Sequence, residues 1–296
     1  MFKKILVPLD GSEAAEAVIP FAREIAGRSG GEVVLVTAVQ QVGVWDATLS
    51  VQVVEREEES AKEYLNEIIG RNGTGLTAKT VQGDAAEAIL SAAKEESADL
   101  IALSTHGRSG IARWLFGSTA THVLENSPVP VLFLRPKEGK DRGAPGPVVR
   151  KILVPLDGSD LAMSILPTVE EFAKLNDASI IYFHAVQPIA AYPGFEAQAA
   201  SMGRITDELQ DQARAILSRA SEATRAKGIE TSMVVNLDTP VDGTLRAAAD
   251  LDVDLIALSS HGRGGLGRVI LGSVADGIVR RSADVPCLVI RVQEED

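Results

Sequence analysis

Two stretches of the chain carry residues that suit the binding of phosphate. They read STHGRSGIARWLFGS at 104–118 and SSHGRGGLGRVILGS at 259–273. Each follows a short apolar run that predicts a buried strand, and each ends at a Gly-Ser pair that predicts a helix start, with Ser118 or Ser273 in the capping position. Glycines let a backbone approach a ligand closely, and a helix N-terminus offers unpaired N–H groups and the positive end of a dipole. The chemistry that this arrangement suits is the holding of phosphate.

An aspartate ends the first predicted strand of each half. The sequence KILVPLDGS occurs at 4–12 and again at 151–159, so Asp10 and Asp157 occupy the same position in the two copies. A carboxylate there can accept hydrogen bonds from a ribose hydroxyl or an adenine amine, and charge-assisted bonds are the stronger kind. Asp in this position also commonly shapes a turn or caps the next helix, so the pattern leaves both roles open.

The two loops share the pattern S-x2-G-x9-G-S. In this respect the chain resembles the universal stress protein family, whose ATP-binding members carry G-x2-G-x9-G-[S/T]. Ser104 and Ser259 stand where the family has its first glycine. The resemblance implies two five-stranded, Rossmann-like domains whose first and fourth strands are neighbours. It also implies that adenine meets the backbone at the end of the second strand, where Val39 and Val186 are the matching residues.

The loop chemistry and the resemblance together predict one adenine-nucleotide site in each half. In the first half the candidate binding residues are Pro8, Leu9, Asp10, Val39, Ser104, His106, Gly107, Arg108, Gly110, Gly117, Ser118 and Thr119. In the second half they are Pro155, Leu156, Asp157, Val186, Ser259, His261, Gly262, Arg263, Gly265, Gly272, Ser273 and Val274. The expected ligand is ATP, with ADP and AMP as alternatives and Mg²⁺ as a companion ion. No catalytic residue and no metal-ligating residue is assigned.

Two pairs of candidates have an ordinary explanation beside the functional one. Arg108 and Arg263 can pair with phosphate, but loop arginines are as often simply solvated. His106 and His261 are not surrounded by a Ser–His–Asp or metal-binding spacing, so a loop histidine bonded to backbone is the favoured interpretation.

The remaining pattern predicts an α/β fold made of two tandem doubly wound domains. Strands and helices alternate in each half, which is typical of a parallel sheet with helices on both faces. Residues 137–148 are rich in charge, Gly and Pro and predict a linker between a domain at 1–136 and a domain at 149–296. Ligands on such sheets bind beyond the carboxyl ends of the strands, where the strand order reverses.

Three local expectations accompany this fold. Pro20 should kink the first helix, because proline lacks an N–H and crowds the preceding turn. The long helix of the second half should carry Ile205, Leu209, Ile216 and Leu217 on its apolar side. The halves should also differ after the third strand, where Gly83 is matched to Leu237.

Composition narrows the class of partner. The chain has 296 residues, a net charge of −12 and a pI of about 4.9, which argues against nucleic acid or an anionic membrane as the main partner. No apolar run approaches the length of a membrane helix, and a start of MFKKILVPLDGS is unlike a signal peptide. With one cysteine, Cys287, no disulfide can form within the chain, so a cytoplasmic location is expected.

The function that the sequence favours is regulation in a stress response through nucleotide binding, without turnover. One alternative is a slow ATPase or phosphotransferase, and another is an interaction module that has lost nucleotide binding. The last strands, at 129–135 and 285–291, are short and apolar, and by resemblance they lie at sheet edges. We expect them to pair the two halves as a pseudo-dimer, and a homodimer is a further possibility.

Overall fold

The computed structural model describes residues 1–40, 47–104, 117–135, 148–188, 199–261, 271–282 and 284–292. Contacts divide the chain into two compact units, Met1–Val148 and Val149–Asp296. In both units strands alternate with helices, as the sequence predicts.

The first unit begins with a strand and ends with a strand. Its strands are β1 (Lys4–Pro8), β2 (Glu32–Val39), β3 (Leu76–Gln82), β4 (Leu100–Ser104) and β5 (Val131–Leu134). Its helices are α1 (Glu13–Glu16), α2 (Ile19–Ser29), α3 (Ala47–Asn72), α4 (Ala85–Glu95) and α5 (Ser118–Asn126).

The second unit repeats this order of elements. Its strands are β6 (Lys151–Pro155), β7 (Ser179–Val186), β8 (Thr231–Leu237), β9 (Leu255–Ser259) and β10 (Cys287–Ile290). Its helices are α6 (Asp160–Met163), α7 (Leu166–Asn176), α8 (Ala199–Arg225), α9 (Pro240–Asp250) and α10 (Ser273–Arg281).

The strands of each unit form a parallel sheet. In the first unit their order is β3-β2-β1-β4-β5, and the second unit has the same order as β8-β7-β6-β9-β10. The strand order reverses between β1 and β4, which are neighbours: β2 and β3 lie on the β1 side of this pair and β5 lies on the β4 side. This confirms the predicted doubly wound α/β fold and places the switch point at the carboxyl ends of β1 and β4, and of β6 and β9.

The central strands are the core of each sheet, and an aspartate holds them in register. The side chains of Leu100 and Leu255, the first residues of β4 and β9, are fully buried. Just before them, Asp99 Oδ2 accepts hydrogen bonds from the backbone N–H groups of Lys3 and Lys4, at 2.7 and 3.1 Å. Asp254 Oδ2 bonds the start of β6 in the same way. These aspartates lie at the end of the sheet opposite the predicted site, so their role is structural.

The predicted kink at Pro20 is wrong, because the segment forms two separate helices and not one kinked helix. The helix α1 ends at Glu16, and Pro20 lies in the first turn of α2. In the first turn a backbone N–H has no partner within the helix, so proline loses nothing there and its fixed φ suits the start of a helix. Pro167 does the same in α7.

The apolar side predicted for the long helix of the second unit is only partly buried. Leu217 is fully buried in α8, whereas Ile205 and Leu209, nearer the start of the helix, are 46% and 37% exposed. The helical period therefore identified the face correctly toward the end of α8. Near the start of α8 the same period predicted burial wrongly, because no described residues pack over Ile205 and Leu209.

A chain of buried hydrogen bonds sets the interior of the second unit apart. The hydroxyls of Tyr182 and Thr224 are 2.7 Å apart, and Thr224 donates to Glu170 Oε1 at 2.7 Å. Lys227 pairs with the other oxygen of Glu170, which is only 5% exposed. Burial raises the pKa of Tyr182 to about 12, with the charge of Glu170 acting in the same direction. In the first unit the sheet position of Tyr182 is held by Leu35.

Among the described residues, no helix is both long enough and apolar enough to cross a membrane.

Candidate functional site

The turn after the first strand is built by the Asp-Gly-Ser sequence itself. Asp10 Oδ1 accepts hydrogen bonds from Ser12 N at 3.0 Å and from Ser12 Oγ at 2.6 Å. Gly11 has a φ of +82°, which a side chain would strain, and Ser12 Oγ caps α1 by accepting a bond from Ala15 N at 3.2 Å. The turn therefore fixes the direction of the carboxylate at the carboxyl end of β1.

The second unit has the same turn, with nearly the same distances. Asp157 Oδ1 accepts bonds from Ser159 N at 2.9 Å and from Ser159 Oγ at 2.6 Å, and Gly158 again has a φ of +82°. The turn-forming role of both aspartates is thus present in the structure. A ligand role for the same carboxylates is compatible with it, because a carboxylate can accept several bonds.

The two valines predicted to meet adenine end the second strand of each unit. Val39 and Val186 are 3% and 4% exposed, so contact with a ligand falls to their backbone. The Val39 carbonyl accepts a bond from Gly83 N at 2.9 Å, and the Val186 carbonyl accepts one from Asp238 N at 3.0 Å. A carbonyl oxygen has a second lone pair, so these bonds leave acceptor capacity at both positions.

This register corrects the match between the halves after the third strand. Val39 pairs with Gln82 and Val186 pairs with Leu237, so Leu237 corresponds to Gln82 rather than to Gly83. The residue that corresponds to Gly83 is Asp238. The difference between the copies is therefore a glycine against an aspartate at the start of the following helix.

The Gly-Ser pairs stand at the N-termini of α5 and α10, one residue away from the predicted arrangement. The N-cap residues are Gly117 and Gly272, and neither has a side-chain cap. Ser118 and Ser273 are the first helical residues, so their predicted capping role is wrong. Both serines are exposed, and the first-turn N–H groups of a helix have no partner within it.

Nothing in the fold of the described residues requires glycine at 117. Its φ and ψ are −58° and 147°, which any residue adopts, and an added Cβ would meet no atom within 4 Å. Gly272 has nearly the same angles, −56° and 144°. Glycine is a common N-cap residue, and without a side chain it leaves the helix N-terminus open to the approach of a ligand.

In the second unit the two ends of the predicted phosphate loop are joined. The Gly272 N–H donates to the Ser260 carbonyl at 2.8 Å, which brings the start of α10 to the end of β9. Ser259 Oγ donates to the His261 carbonyl at 2.6 Å, and His261 Nδ1 lies 3.0 Å from Ser260 Oγ. Ser259, His261, Gly272 and Ser273 are therefore brought together. His261 has the backbone and hydroxyl surroundings expected of a structural loop residue.

The corresponding positions of the first unit are partly described. Ser104 ends β4 beside Leu134 of β5, and Thr119 follows Ser118 in the first turn of α5. The equivalent of Thr119 is Val274, which is 38% exposed. The remaining loop candidates lie outside the described residues: His106, Gly107, Arg108, Gly110, Gly262, Arg263 and Gly265.

A cavity of about 590 Å³ opens beside the Asp10 turn in the first unit. One wall is Gly11 with the end of β2, namely Thr37, Ala38 and Val39. The other wall is one face of α3, and it consists of Val53, Arg56, Glu57, Ser60, Ala61 and Tyr64. Small-molecule sites commonly have volumes of ~300–1,000 Å³ and mix apolar walls with a few polar groups. Two parts of the predicted site, the turn and the end of β2, therefore border one space.

The α3 wall and Thr37 were missed by reasoning from sequence. A helical signal was available, because 53, 57, 60 and 64 recur at the spacing of one face. Thr37 also shares a strand face with Val39 by alternation. Neither signal reveals that this face of α3 lies against the end of β2, since that depends on the packing of the helix.

Electrostatics keep the cavity's tyrosine protonated. Tyr64 O–H donates to Glu16 Oε1 at 3.2 Å, and Arg71 pairs with the other oxygen of Glu16 at 3.6 Å. Burial raises the pKa of Tyr64 well above its usual range, with the charges of Glu16 and then Asp10 adding to the shift. Tyr64 is thus a neutral group at the edge of the cavity nearest Asp10.

The site offers donors and carboxylates rather than a preformed metal centre. Within the described ranges, no group of three or more His, Cys, Asp or Glu side chains is placed to hold a metal ion. What the described residues supply is a fixed carboxylate, strand-end backbone and a helix N-terminus around one switch point. That combination can hold a ligand with a hydroxylated or aminated part and an anionic part.

Comparisons with known proteins place the chain in a family. A universal stress protein of Mycolicibacterium smegmatis is 25% identical over 300 residues, which cover 97% of this chain and 96% of that protein. Universal stress protein Rv2005c of Mycobacterium tuberculosis is 27% identical over 198 residues. That match covers 66% of this chain but only 62% of the relative, so the chain spans less than two thirds of that relative's length.

A solved structure that spans nearly the whole chain agrees on the fold. A universal stress protein from Archaeoglobus fulgidus covers 98% of this chain and 99% of its own, with a TM-score of 0.69 and 22% identity. A universal stress protein solved in complex with cAMP covers 50% of this chain, at 21% identity and a TM-score of 0.36. The model of the universal stress protein family matches residues 1–135 and again residues 149–291. The chain belongs to the universal stress protein family, with one family domain in each half.

Proposed function

We propose that each unit binds one adenine nucleotide at the carboxyl ends of its first, second and fourth strands. The nucleotide is ATP, ADP or AMP, with Mg²⁺ as the ion that accompanies its phosphates. Its ribose or base meets Asp10 or Asp157 and the backbone of Val39 or Val186, and its phosphates lie at the N-terminus of α5 or α10. The domains that carry the two sites are 1–136 and 149–296, joined by the linker 137–148.

One observation carries this proposal. Gly117 is the N-cap of α5, and neither its backbone angles nor its described surroundings call for glycine. In the second unit the matching Gly272 N–H bonds the Ser260 carbonyl just past the end of β9, at the switch point. A helix N-terminus that a side chain does not obstruct is suited to phosphate, because its N–H groups and dipole favour negative charge. The turn that fixes Asp10 stands at the same end of the sheet and supplies the second contact point.

Calorimetry on the full chain tests the proposal. The protein is first stripped of any bound ligand by denaturation and refolding, and the released material is identified by mass spectrometry. It is then titrated separately with ATP, ADP and AMP, with and without Mg²⁺. We expect binding to two sites per chain, and the absence of heat with all three nucleotides would overturn the proposal.

We further propose that the protein binds its nucleotide without turning it over, as a regulator in a stress response in the cytoplasm. Two other functions stay open to test: a slow ATPase or phosphotransferase, and an interaction module without nucleotide. A turnover assay on the purified protein distinguishes a slow ATPase or phosphotransferase from a regulator. Steady release of phosphate from bound ATP would show that the protein is an enzyme. Purification with no nucleotide and no binding would assign the interaction module.

The pairing of the last strands of the two halves, as a pseudo-dimer, stays a proposal from the sequence. Each last strand, β5 or β10, ends the strand order of its own unit. A strand in that position has backbone groups available for another strand. Nucleic acid and membranes are not partners in this proposal, because the net charge is −12.

A further inference from the structure

The hydroxyl of Thr37 is a buried polar atom with no hydrogen-bond partner within the part of the chain that the structure describes. Native proteins satisfy nearly all such atoms, and the exceptions commonly mark a place where a ligand or an ordered water belongs. Thr37 also lines the cavity between β2 and α3, so its side chain borders a space large enough for a small molecule.

In the second unit the residue at the same position has a hydrogen-bond partner within its own unit. Leu9 N bonds Val36 O in the first unit and Leu156 N bonds Phe183 O in the second, so His184 is the counterpart of Thr37. His184 Nδ1 lies 2.7 Å from the Leu156 carbonyl oxygen. A carbonyl can only accept, so Nδ1 carries a proton and donates it. The imidazole therefore has a partner from its own unit, at the position where the Thr37 hydroxyl has none among the residues that the structure describes.

The rest of the cavity indicates what the hydroxyl would meet. Val39, Val53 and Ala61 give it apolar walls, whereas Ser60 and Tyr64 add hydroxyls at the α3 side. A flat ring with a polar edge fits such a space, because its faces contact apolar side chains and its edge forms hydrogen bonds. The base of a nucleotide has this chemistry, and Arg56 and Glu57, which also line the cavity, add one charge of each sign to the α3 wall.

We propose that Thr37 is a base-contacting residue peculiar to the first unit, with its Oγ1 hydrogen-bonded to the edge of the nucleobase inside the cavity. The inference rests on the proposed nucleotide function and deepens it, because it makes the two sites chemically different. The first site meets the base through a side-chain hydroxyl and the α3 wall. In the second site that hydroxyl is replaced by His184.

The test uses the full chain with Asp157→Asn and Gly272→Val, which together disable the second site at both its nucleoside end and its phosphate end and leave the first site for the measurement. In this background Thr37→Val removes the hydroxyl at constant shape, Thr37→Ser keeps it, and Thr77→Val makes the same change at an exposed position of β3. Each variant is titrated with ATP and with adenosine, and its melting temperature is measured without ligand. We expect Thr37→Val to weaken both ligands by the same factor, about 5- to 10-fold, as the loss of one hydrogen bond requires. Thr37→Ser and Thr77→Val should stay within about twofold of the parent.

The melting temperature separates a binding role from a structural one. Without ligand, Thr37→Val should melt no lower than the parent, because it removes a buried hydroxyl that no described residue satisfies. Unchanged affinity in Thr37→Val, or weakening of ATP alone, would overturn the inference while leaving the nucleotide function intact. If the parent chain binds neither ATP nor adenosine, the proposed function itself is wrong.

Discussion

The substitution Asp10→Asn separates the two roles that the carboxylate can have. In the structure Asp10 Oδ1 accepts two hydrogen bonds from Ser12, one from the backbone and one from the hydroxyl. Asparagine keeps an oxygen that can accept both bonds, so the turn should survive. Its other terminal atom becomes an NH₂ group, which donates and cannot accept a bond from a ribose hydroxyl or an adenine amine.

The expected magnitudes follow from these contacts. The turn bonds change from a charged acceptor to a neutral one in a half-buried place, so the free energy of unfolding should fall by about 1 kcal/mol or less. The bond to the ligand is lost altogether, which costs roughly 1.5–3 kcal/mol, or about 10- to 150-fold in affinity for the first site. Asp157→Asn should do the same for the second site.

The assay is calorimetric titration with ATP, together with urea unfolding of the same protein. Ser12→Ala is the matched control, since it keeps the charge but removes the hydroxyl that bonds Asp10 and caps α1. That variant should lose about 1 kcal/mol of stability and less affinity than Asp10→Asn. If Asp10→Asn binds ATP within twofold of the natural chain, the carboxylate is a turn-former only and its ligand role is wrong.

Three other predictions address the helix N-terminus, a buried tyrosine and the linker. Gly117→Val should abolish ATP binding at the first site and affect adenosine much less. Its free energy of unfolding should fall by no more than about 1 kcal/mol, because valine is a poorer N-cap than glycine but an added Cβ meets no described atom within 4 Å. Equal losses of affinity for ATP and adenosine in calorimetry would contradict this prediction. Tyr182 has its pKa raised to about 12, so the protonated form favours folding. Its contribution should be fully present below pH ~10 and lost as the pH rises toward 12, by up to about 3 kcal/mol. In urea unfolding, stability should therefore fall less steeply with rising alkaline pH in Tyr182→Phe than in the natural chain, the remainder coming from Tyr64 and other groups whose pKa is also raised. A protease site placed between Gly139 and Gly146 should yield halves that elute together in gel filtration, and separate particles of half mass would refute the pairing of the last strands.

The sequence predicted the fold well because its signals were local and repeated. The apolar run of the first strand stops at a charged residue, Asp10, which marks the carboxyl end of that strand. The second copy of the run stops in the same way, at Asp157. Strand order followed from the family resemblance and is confirmed by the pairing of β1 with β4. The capping role of Ser118 was wrong by one residue, since composition does not distinguish a cap from the first helical position.

Candidate site residues could be named from the sequence only where they lie next to a strand end. Val39 could be named because it closes β2, but the cavity wall on α3 could not. A loop and the first turns of α3 separate Ser60 and Tyr64 from β2 along the chain. Only tertiary packing brings these two residues opposite Thr37. Ile205 shows the converse limit, because helical periodicity identifies an apolar face without saying whether anything covers it.

The hydrogen-bonded interior of the second unit has a consequence for how a duplicated chain avoids misfolding. Two domains with the same KILVPLDGS strand, made in succession, can exchange elements, and such misassembly is a characteristic failure of tandem proteins. If α3 packed on the second sheet in place of α8, its buried residues Leu65 and Ile68 would face Tyr182 and Glu170 without a hydroxyl to join them. Leaving those polar groups unpaired in a dry interior is costly. The divergence of the two interiors thus disfavours the packing of α3 on the second sheet.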